Sequence, residues 1–283
     1  MTTLQINTSS PDVLTLQKDL AQLNYKIACD GVFGPETQAT VIQFQHDHNL
    51  EADGIVGPNT WAVITDLLGA PKIYGMDVSH FNGTIDWNLV PASQIQFVYC
   101  KASQGTGFRD NMFATYMAAL ANLNYRRGAY HFYSFSNAPI PDQVSNYLGC
   151  GLDFKAKGVM PPVVDVEWQS SASLNQYIAD NKTTCIAQLR QWVDSVAQQT
   201  GRQPMIYTAA SFWNQYIGND AILSQCPLWI ADYNANGPAI PQGWNNFTIW
   251  QFSASATVPG INGNVDKDIF GGTLAQLNAM AGM

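Results

Sequence analysis

Charge is scarce in this chain of 283 residues. Asp, Glu, Lys and Arg together make up 12% of it, against about a quarter in an average globular protein. The little charge present leans acidic, with 21 Asp and Glu against 13 Lys and Arg and a net charge of -8. That balance argues against binding nucleic acid or an anionic membrane surface. It also argues against attachment to a negatively charged cell wall by charge alone. No run approaches the roughly 18 apolar residues of a membrane span. The stretch from Met1 to Pro11 lacks both a basic segment and an apolar segment of the secretory kind, so a chain made in the cytoplasm without a signal peptide is expected. The five cysteines, Cys29, Cys100, Cys150, Cys185 and Cys226, are odd in number and show no CxxC spacing. Structural thiols are expected, rather than a disulfide framework or a zinc site. Histidine is equally sparse: His46 and His48, two apart on a predicted helix, diverge instead of forming a ligand pair. No metal or cofactor is expected.

What the sequence does have is apolar and aromatic mass, 46% and 12% respectively, which is ample for a packed core. The remaining surface must be rich in Asn, Gln, Ser and Thr, a composition suited to a neutral sugar partner. The first seventy residues contain a repeat: Asp30-Gly31-Val32-Phe33-Gly34-Pro35-Glu36-Thr37 returns as Asp53-Gly54-Ile55-Val56-Gly57-Pro58-Asn59-Thr60. Asp-Gly marks a tight turn, because glycine takes positive φ without steric cost. Gly-Pro then opens a helix, where the missing proline N–H would have been unbonded anyway. Val41 and Phe44 follow the first unit, Trp61 and Ile64 the second, and Val13, Leu16, Leu20 and Leu23 mark an earlier helix. A small three-helix domain over residues 1–70 is predicted. The bridge Leu68-Gly69-Ala70-Pro71-Lys72 is too short for a long flexible tether.

This N-terminal segment resembles the peptidoglycan-binding domain, type 1. The matching pattern is Leu16-Gln17, Leu20, Tyr25, Asp30-Gly31, Phe33-Gly34, Thr37, Phe44-Gln45, Leu50, Asp53-Gly54, Gly57 and Thr60-Trp61. The resemblance implies binding to cell-wall polymer without catalysis.

From residue 71 to 283, strand-like and helix-like stretches alternate. Strands are predicted at 73–80, 95–102, 128–135, 161–168, 204–209, 228–233 and 247–253, and helices near 110–124, 140–149 and 173–199, with Gly201 as the stop of the last. That alternation predicts an α/β fold, an irregular TIM-like β/α barrel. Helical pattern thins after residue 218, so the last third is expected to be irregular or antiparallel. Barrel enzymes carry their chemistry at the C-terminal ends of strands. Carboxylates fall near such ends at Asp77, at Asp165 and Glu167, at Asp232 and at Asp266. Asp165 and Glu167, two apart on a strand, share one face. Repulsion and partial burial should push their pKa values apart and leave one proton available near neutral pH. Glycoside hydrolysis needs that arrangement, although an isolated Asp-x-Glu could equally bridge to a neighbouring loop.

The surrounding motifs resolve that choice. Gly75-Met76-Asp77-Val78-Ser79-His80-Phe81-Asn82-Gly83, Lys101-Ala102-Ser103-Gln104-Gly105-Thr106-Gly107-Phe108, Gly128-Ala129-Tyr130-His131-Phe132 and Asp165-Val166-Glu167 fall in order along the chain. Trp229-Ile230-Ala231-Asp232-Tyr233, Trp250-Gln251-Phe252-Ser253 and Val265-Asp266-Lys267-Asp268-Ile269-Phe270 complete the series. Together these resemble glycoside hydrolase family 25, lysozymes that cleave between N-acetylmuramic acid and N-acetylglucosamine. The resemblance implies Glu167 as the catalytic acid. Asp165 would orient and stabilise the reacting N-acetyl sugar, with Asp77 and Asp266 completing the carboxylate cluster; whether Asp165 serves the acetamido group or the sugar cation stays open. Substrate contacts are expected from Lys101, Tyr130, His131, Tyr207, Asp232, Tyr233, Trp250 and Gln251, the aromatics among them at or near predicted strand ends, where sugar rings can stack. One departure is Gln104, where the family often has Glu.

Peptidoglycan is therefore the expected partner of a monomeric chain that binds neither nucleic acid nor membrane. A chitinase-like or other N-acetylhexosamine glycosidase is the alternative enzyme, and a non-catalytic wall-binding protein the alternative outside enzymes. A wall hydrolase without a leader fits either holin-type release or a dedicated secretion machine.

Overall fold

Each Gly-Pro pair opens a helix. In the computed structural model, which describes residues 3–69, 72–135, 139–234 and 237–283, α1 spans Pro11–Gln22, α2 Pro35–Asp47 and α3 Pro58–Gly69. Ser10 caps α1 by accepting from Val13 N–H. Gly31 and Gly54, the two turn glycines, take φ of 75° and 72° as the repeat demands. Val13, Leu16, Leu20, Phe33, Val41, Phe44, Val56, Trp61 and Ile64 share one core. Both repeats are organised by a buried glutamine. Gln17 Nε2 donates to Asp30 Oδ1 at 2.8 Å, to Val32 O at 3.1 Å and to Thr37 Oγ1 at 3.1 Å, while its Oε1 accepts from Gly31 N–H at 2.7 Å. Gln45 does the same for Asp53, Ile55, Thr60 and Gly54.

The chain divides into two compact units, Met1–Lys72 with Asn245–Phe247, and Ile73–Trp244 with Thr248–Met283. Of the predicted bridge, Ala70 and Pro71 lie outside the described residues.

Among the described residues, the second unit is built on nine strands: β1 Ile73–Val78, β2 Phe97–Gln104, β3 Phe108–Arg109, β4 Arg126–Phe132, β5 Val163–Asp165, β6 Met205–Ala209, β7 Leu228–Ala231, β8 Ile249–Ala256 and β9 Val265–Phe270. Their order is β1-β9-β8-β7-β6-β5-β4-β2-β3, and a further β1–β2 pairing closes eight of them into a barrel with β3 appended to β2. Pairings are parallel around most of the ring, but β9 runs antiparallel to both β8 and β1. The helices are α4 Phe113–Asn122, α5 Ile140–Leu148, α6 Ala172–Asp180, α7 Lys182–Thr200, α8 Ala210–Tyr216 and α9 Leu274–Met280.

Inside the barrel, side chains two apart along each strand point the same way. One end is apolar, with Ile73, Phe97, Tyr99, Val163, Met205, Ile249 and Phe270 in a cluster joined by Leu277 of α9. Two glycines make room for its largest rings. A Cβ on Gly75 would lie 2.3 Å from the Phe97 ring, and one on Gly128 would lie 2.0 Å from the Tyr99 ring.

Three expectations change. The helix predicted over 173–199 is two helices, broken at Asn181 (φ -120°, ψ 28°), whose side chain donates to Tyr177 O; asparagine competes for backbone bonds and favours helix ends. The strand predicted over 161–168 is regular only at Val163–Asp165, so Glu167 stands just beyond it. Finally, β9 was absent from the predicted strands, and Asp266 lies at its start rather than at a strand's end.

Candidate active site

At the polar end of the barrel, the same alternation that fills the core presents carboxyl groups. Asp77 follows Ile73 and Gly75 on the inner face of β1, Asp165 follows Val163 on β5, and Gln251 follows Ile249 on β8. Because β9 is antiparallel, its first residues reach this end, and Asp266 pairs directly with Asp77. An open cleft results, lined by Asp77, Tyr130, Asp165, Glu167, Tyr207, Trp229, Gln251 and Asp266.

Hydrogen bonds fix several of these groups. Gln251 Nε2 donates to Asp77 Oδ2 at 2.7 Å, and Gln251 Oε1 accepts from the hydroxyls of Tyr207 and Tyr233, both at 3.0 Å. Two donors on the oxygen leave only one orientation for the amide. Trp229 Nε1 donates to Asp268 Oδ1 at 3.0 Å. Beyond β5, Tyr133 N–H donates to Asp165 O and Val166 N–H to Tyr207 O, extending the pairing towards Glu167. Gln169 then holds the turn, donating from Nε2 to Glu167 O and Tyr133 O. Two carboxylate oxygens, Asp165 Oδ1 and Asp268 Oδ2, are buried without a hydrogen-bond partner among the described residues.

Burial dominates the electrostatics. It raises the Asp77 carboxyl well above its usual range, with Asp266 adding to the effect and the Gln251 bond opposing it. Asp165, only 5% exposed, is raised well above its usual range by burial and then by Glu167, against the opposing pull of Lys101. Glu167 is half-buried and raised for the same first reason, while Lys101 lowers it and Asp266 raises it. Asp266 rises to about 6 through burial. Wholly buried Asp268 is also raised well above its usual range, by burial and then by Asp77. Five carboxyl groups thus crowd one end of the barrel, and it cannot hold all of them ionised at neutral pH.

Seven of the twelve predicted site residues line the cleft: Asp77, Tyr130, Asp165, Glu167, Tyr207, Gln251 and Asp266. Five do not. Lys101 acts from beside it, with Nζ 3.0 Å from Gln104 Oε1 and over the Phe108 and Phe132 rings. Tyr233, 59% exposed, reaches in through its bond to Gln251. His131 is wholly buried between Ser103 Oγ (2.8 Å) and Gln143 Oε1 (3.3 Å) and stacked on Trp192, with burial lowering its pKa to about 4. Asp232 accepts from Asn234 N–H and Ala239 N–H in its own loop, and Trp250 donates to Asp232 O. Strand alternation puts Trp250 on the face opposite Gln251. Conversely, Trp229 and Asp268 stood in the quoted motifs without a role, although the alternation through Asp266 and Phe270 marks Asp268 as inward-facing. Among the described residues, no group of three or more His, Cys, Asp or Glu could hold a metal ion.

A polar cleft lined by carboxyl groups, at the mouth of a β/α barrel, is the arrangement of a glycoside hydrolase. Residues 76–261 match Glycosyl hydrolases family 25, and the chain belongs to that family. Residues 9–64 match the family described as "Putative peptidoglycan binding domain". Lysozyme M1 of Streptomyces globisporus is 33% identical over 218 residues, covering 74% of this chain and 71% of that protein. The crystal structure of the bacterial lysozyme from Streptomyces coelicolor aligns with a TM-score of 0.70 at 30% identity, covering 75% of this chain and 98% of that one. That of the CTP1L endolysin aligns with a TM-score of 0.59 at 25% identity, covering 74% and 70%. The chain is thus a peptidoglycan hydrolase of the lysozyme, or muramidase, class, and peptidoglycan is its substrate. No helix among the described residues is long and apolar enough to cross a membrane.

Proposed function

We propose that Glu167 is the general acid and base of this muramidase and that Asp165 sets its protonation through the substrate. The observation that carries this reading is the convergence of Asp77, Asp165, Glu167 and Asp266 on one cleft. Of the adjacent pair, Glu167 is the more exposed and can meet a glycosidic oxygen, whereas Asp165 is buried with Oδ1 unpartnered. Such an oxygen is suited to accept the N–H of an N-acetyl group. In the free protein, deep burial favours a proton on Asp165. An N–H donated by substrate stabilises the Asp165 anion and leaves the shared proton to Glu167, where it protonates the departing oxygen. Asp165 and the acetamido group then face the positive charge developing on the sugar.

Asp266 adds negative charge to the cleft near neutral pH, and Gln251 orients Asp77. Tyr130, Tyr207 and Trp229 supply ring faces and hydroxyls for the sugar held there. Residues 1–70 serve as the wall-binding domain and residues 71–283 as the catalytic one. The chain acts as a monomer on the bacterial wall after release from the cell that makes it, without binding nucleic acid or membrane. Digestion of purified peptidoglycan should create new N-acetylmuramic acid reducing ends. New N-acetylglucosamine ends, or free amines alone, would refute the assignment.

A further inference from the structure

The substrate is a polymer, so sugar rings beyond those at the carboxyl groups must lie on the rim of the cleft. A strip leads outward from the carboxyl groups there. Lys101, whose charge is felt by Asp165 and Glu167, holds Nζ 5.7 Å from the centre of the Phe108 ring. Phe108, on β3 and 43% exposed, lies 5.5 Å from the His80 ring, which lies 4.1 Å from that of Phe81. Phe81 is 85% exposed.

A single exposed apolar side chain needs no explanation. Here, however, exposed rings are contiguous, and the backbone beneath them is pinned. Ser79 and Asn82 form a reciprocal capping box around Phe81. His80 is fixed through both its backbone N–H (2.9 Å) and its Nδ1 (2.7 Å) to Asp110 Oδ2. Tyr116 O–H donates to Gly83 O. A phenyl ring left 85% exposed, as Phe81 is, by a rigid loop is wasteful for folding and useful for stacking on the apolar face of a sugar ring. Both rings follow the mouth-side ends of adjacent strands, β1 and β2, at the end where Asp77 lies.

We propose that Phe81 and Phe108 form an outer subsite that stacks on N-acetylhexosamine rings of the glycan strand beyond those held in the cleft, making the enzyme favour long strands. This rests on the muramidase reading above. The test uses full-length variants Phe81→Ala, Phe108→Ala and the double variant on stem-free glycan strands, comparing the shortest cleavable strands with long ones. The N-terminal unit is the same in every arm. For the double variant, kcat/KM on long strands should fall about tenfold, through KM, if each ring contributes a typical aromatic contact. The shortest strands should lose less than about twofold, and Phe81→Trp should keep long-strand efficiency. Equal losses at both lengths, or no loss, would overturn the subsite. So would a loss confined to stem-bearing peptidoglycan, which would reassign the strip to the peptide. Failure of the acid assignment is read separately: Glu167→Gln should bind long strands by tryptophan fluorescence, and adding Phe81→Ala should weaken that binding about fivefold.

Discussion

Both units bury polar groups, and they treat them in opposite ways. In the three-helix unit, Gln17 and Gln45 are hidden from solvent, and every donor and acceptor of each amide is used within its own Asp-Gly turn. In the barrel, Asp165 and Asp268 are equally hidden and each keeps an oxygen without a partner among the described residues. The first arrangement contributes to stability and leaves the amides nothing to offer a ligand. The second is a standing electrostatic debt against folding, held in place by the rest of the barrel, and it keeps carboxyl groups free for substrate. Polar burial therefore separates scaffold from chemistry in this chain better than polarity alone.

That contrast can be broken most sharply at Glu167. Glu167→Gln should lower the release of new reducing ends by about 10²–10⁴-fold, the usual worth of a general acid, while wall sedimentation and the unfolding midpoint stay unchanged or rise. Near-parental activity would remove the acid role. The reverse signature is expected at Gln45→Leu, which orphans the Gly54 N–H and strips the Asp53 turn of its tie. The first unit should lose roughly 2–3 kcal/mol in denaturant unfolding, with cleavage of soluble glycan strands untouched. If Gln45→Leu is neutral, the network is ornamental.

Asp266→Asn tests the pH dependence of the debt. A folded-state pKa of about 6 against an ordinary value of 3.8 means the native state binds the proton more tightly. That contribution is fully present below about pH 4 and is lost as pH rises through 6. The substitution should stabilise the chain at pH 7 by about 1–2 kcal/mol, after allowance for partial solvent screening. The gain should vanish below pH 4. A gain independent of pH would mean packing, not charge. The smallest effect is expected from Lys101→Met. Lys101 lowers both Asp165 and Glu167, so its removal should let Glu167 keep its proton longer. The alkaline limb of the activity profile should move to higher pH; a downward shift would reverse the assigned sign.

The sequence displayed much of this, unevenly. The Asp-Gly and Gly-Pro repeats announced three helices because turn and cap chemistry is local, and Gly31 and Gly54 have the positive φ that the repeat implied. Asp-x-Glu announced two carboxyl groups on one face for the same reason. Closure of the barrel was harder to read: β9, Val-Asp-Lys-Asp-Ile-Phe, alternates charge with apolar residues and looks like surface until β1 and β8 flank it. Gln251 as a hub, Trp229 as a wall of the cleft and Asp268 beneath it all depend on contacts between strands far apart in the chain. His131 misled in the opposite direction. It sits among site motifs, but its one-residue offset from Tyr130 turns its ring out of the barrel, against Trp192 of α7.

The antiparallel course of β9 also governs how the chain can be extended. In an all-parallel barrel the last strand would deliver its final residue to the mouth, and a further helix would have to carry the chain away from the cleft. Here the chain enters β9 at the mouth and leaves it at the opposite end, where α9 plugs the barrel through Leu277 and Ala281. A tag, fluorophore or second binding module joined after Met283 would emerge from the plugged floor, leaving the approach of the glycan unobstructed.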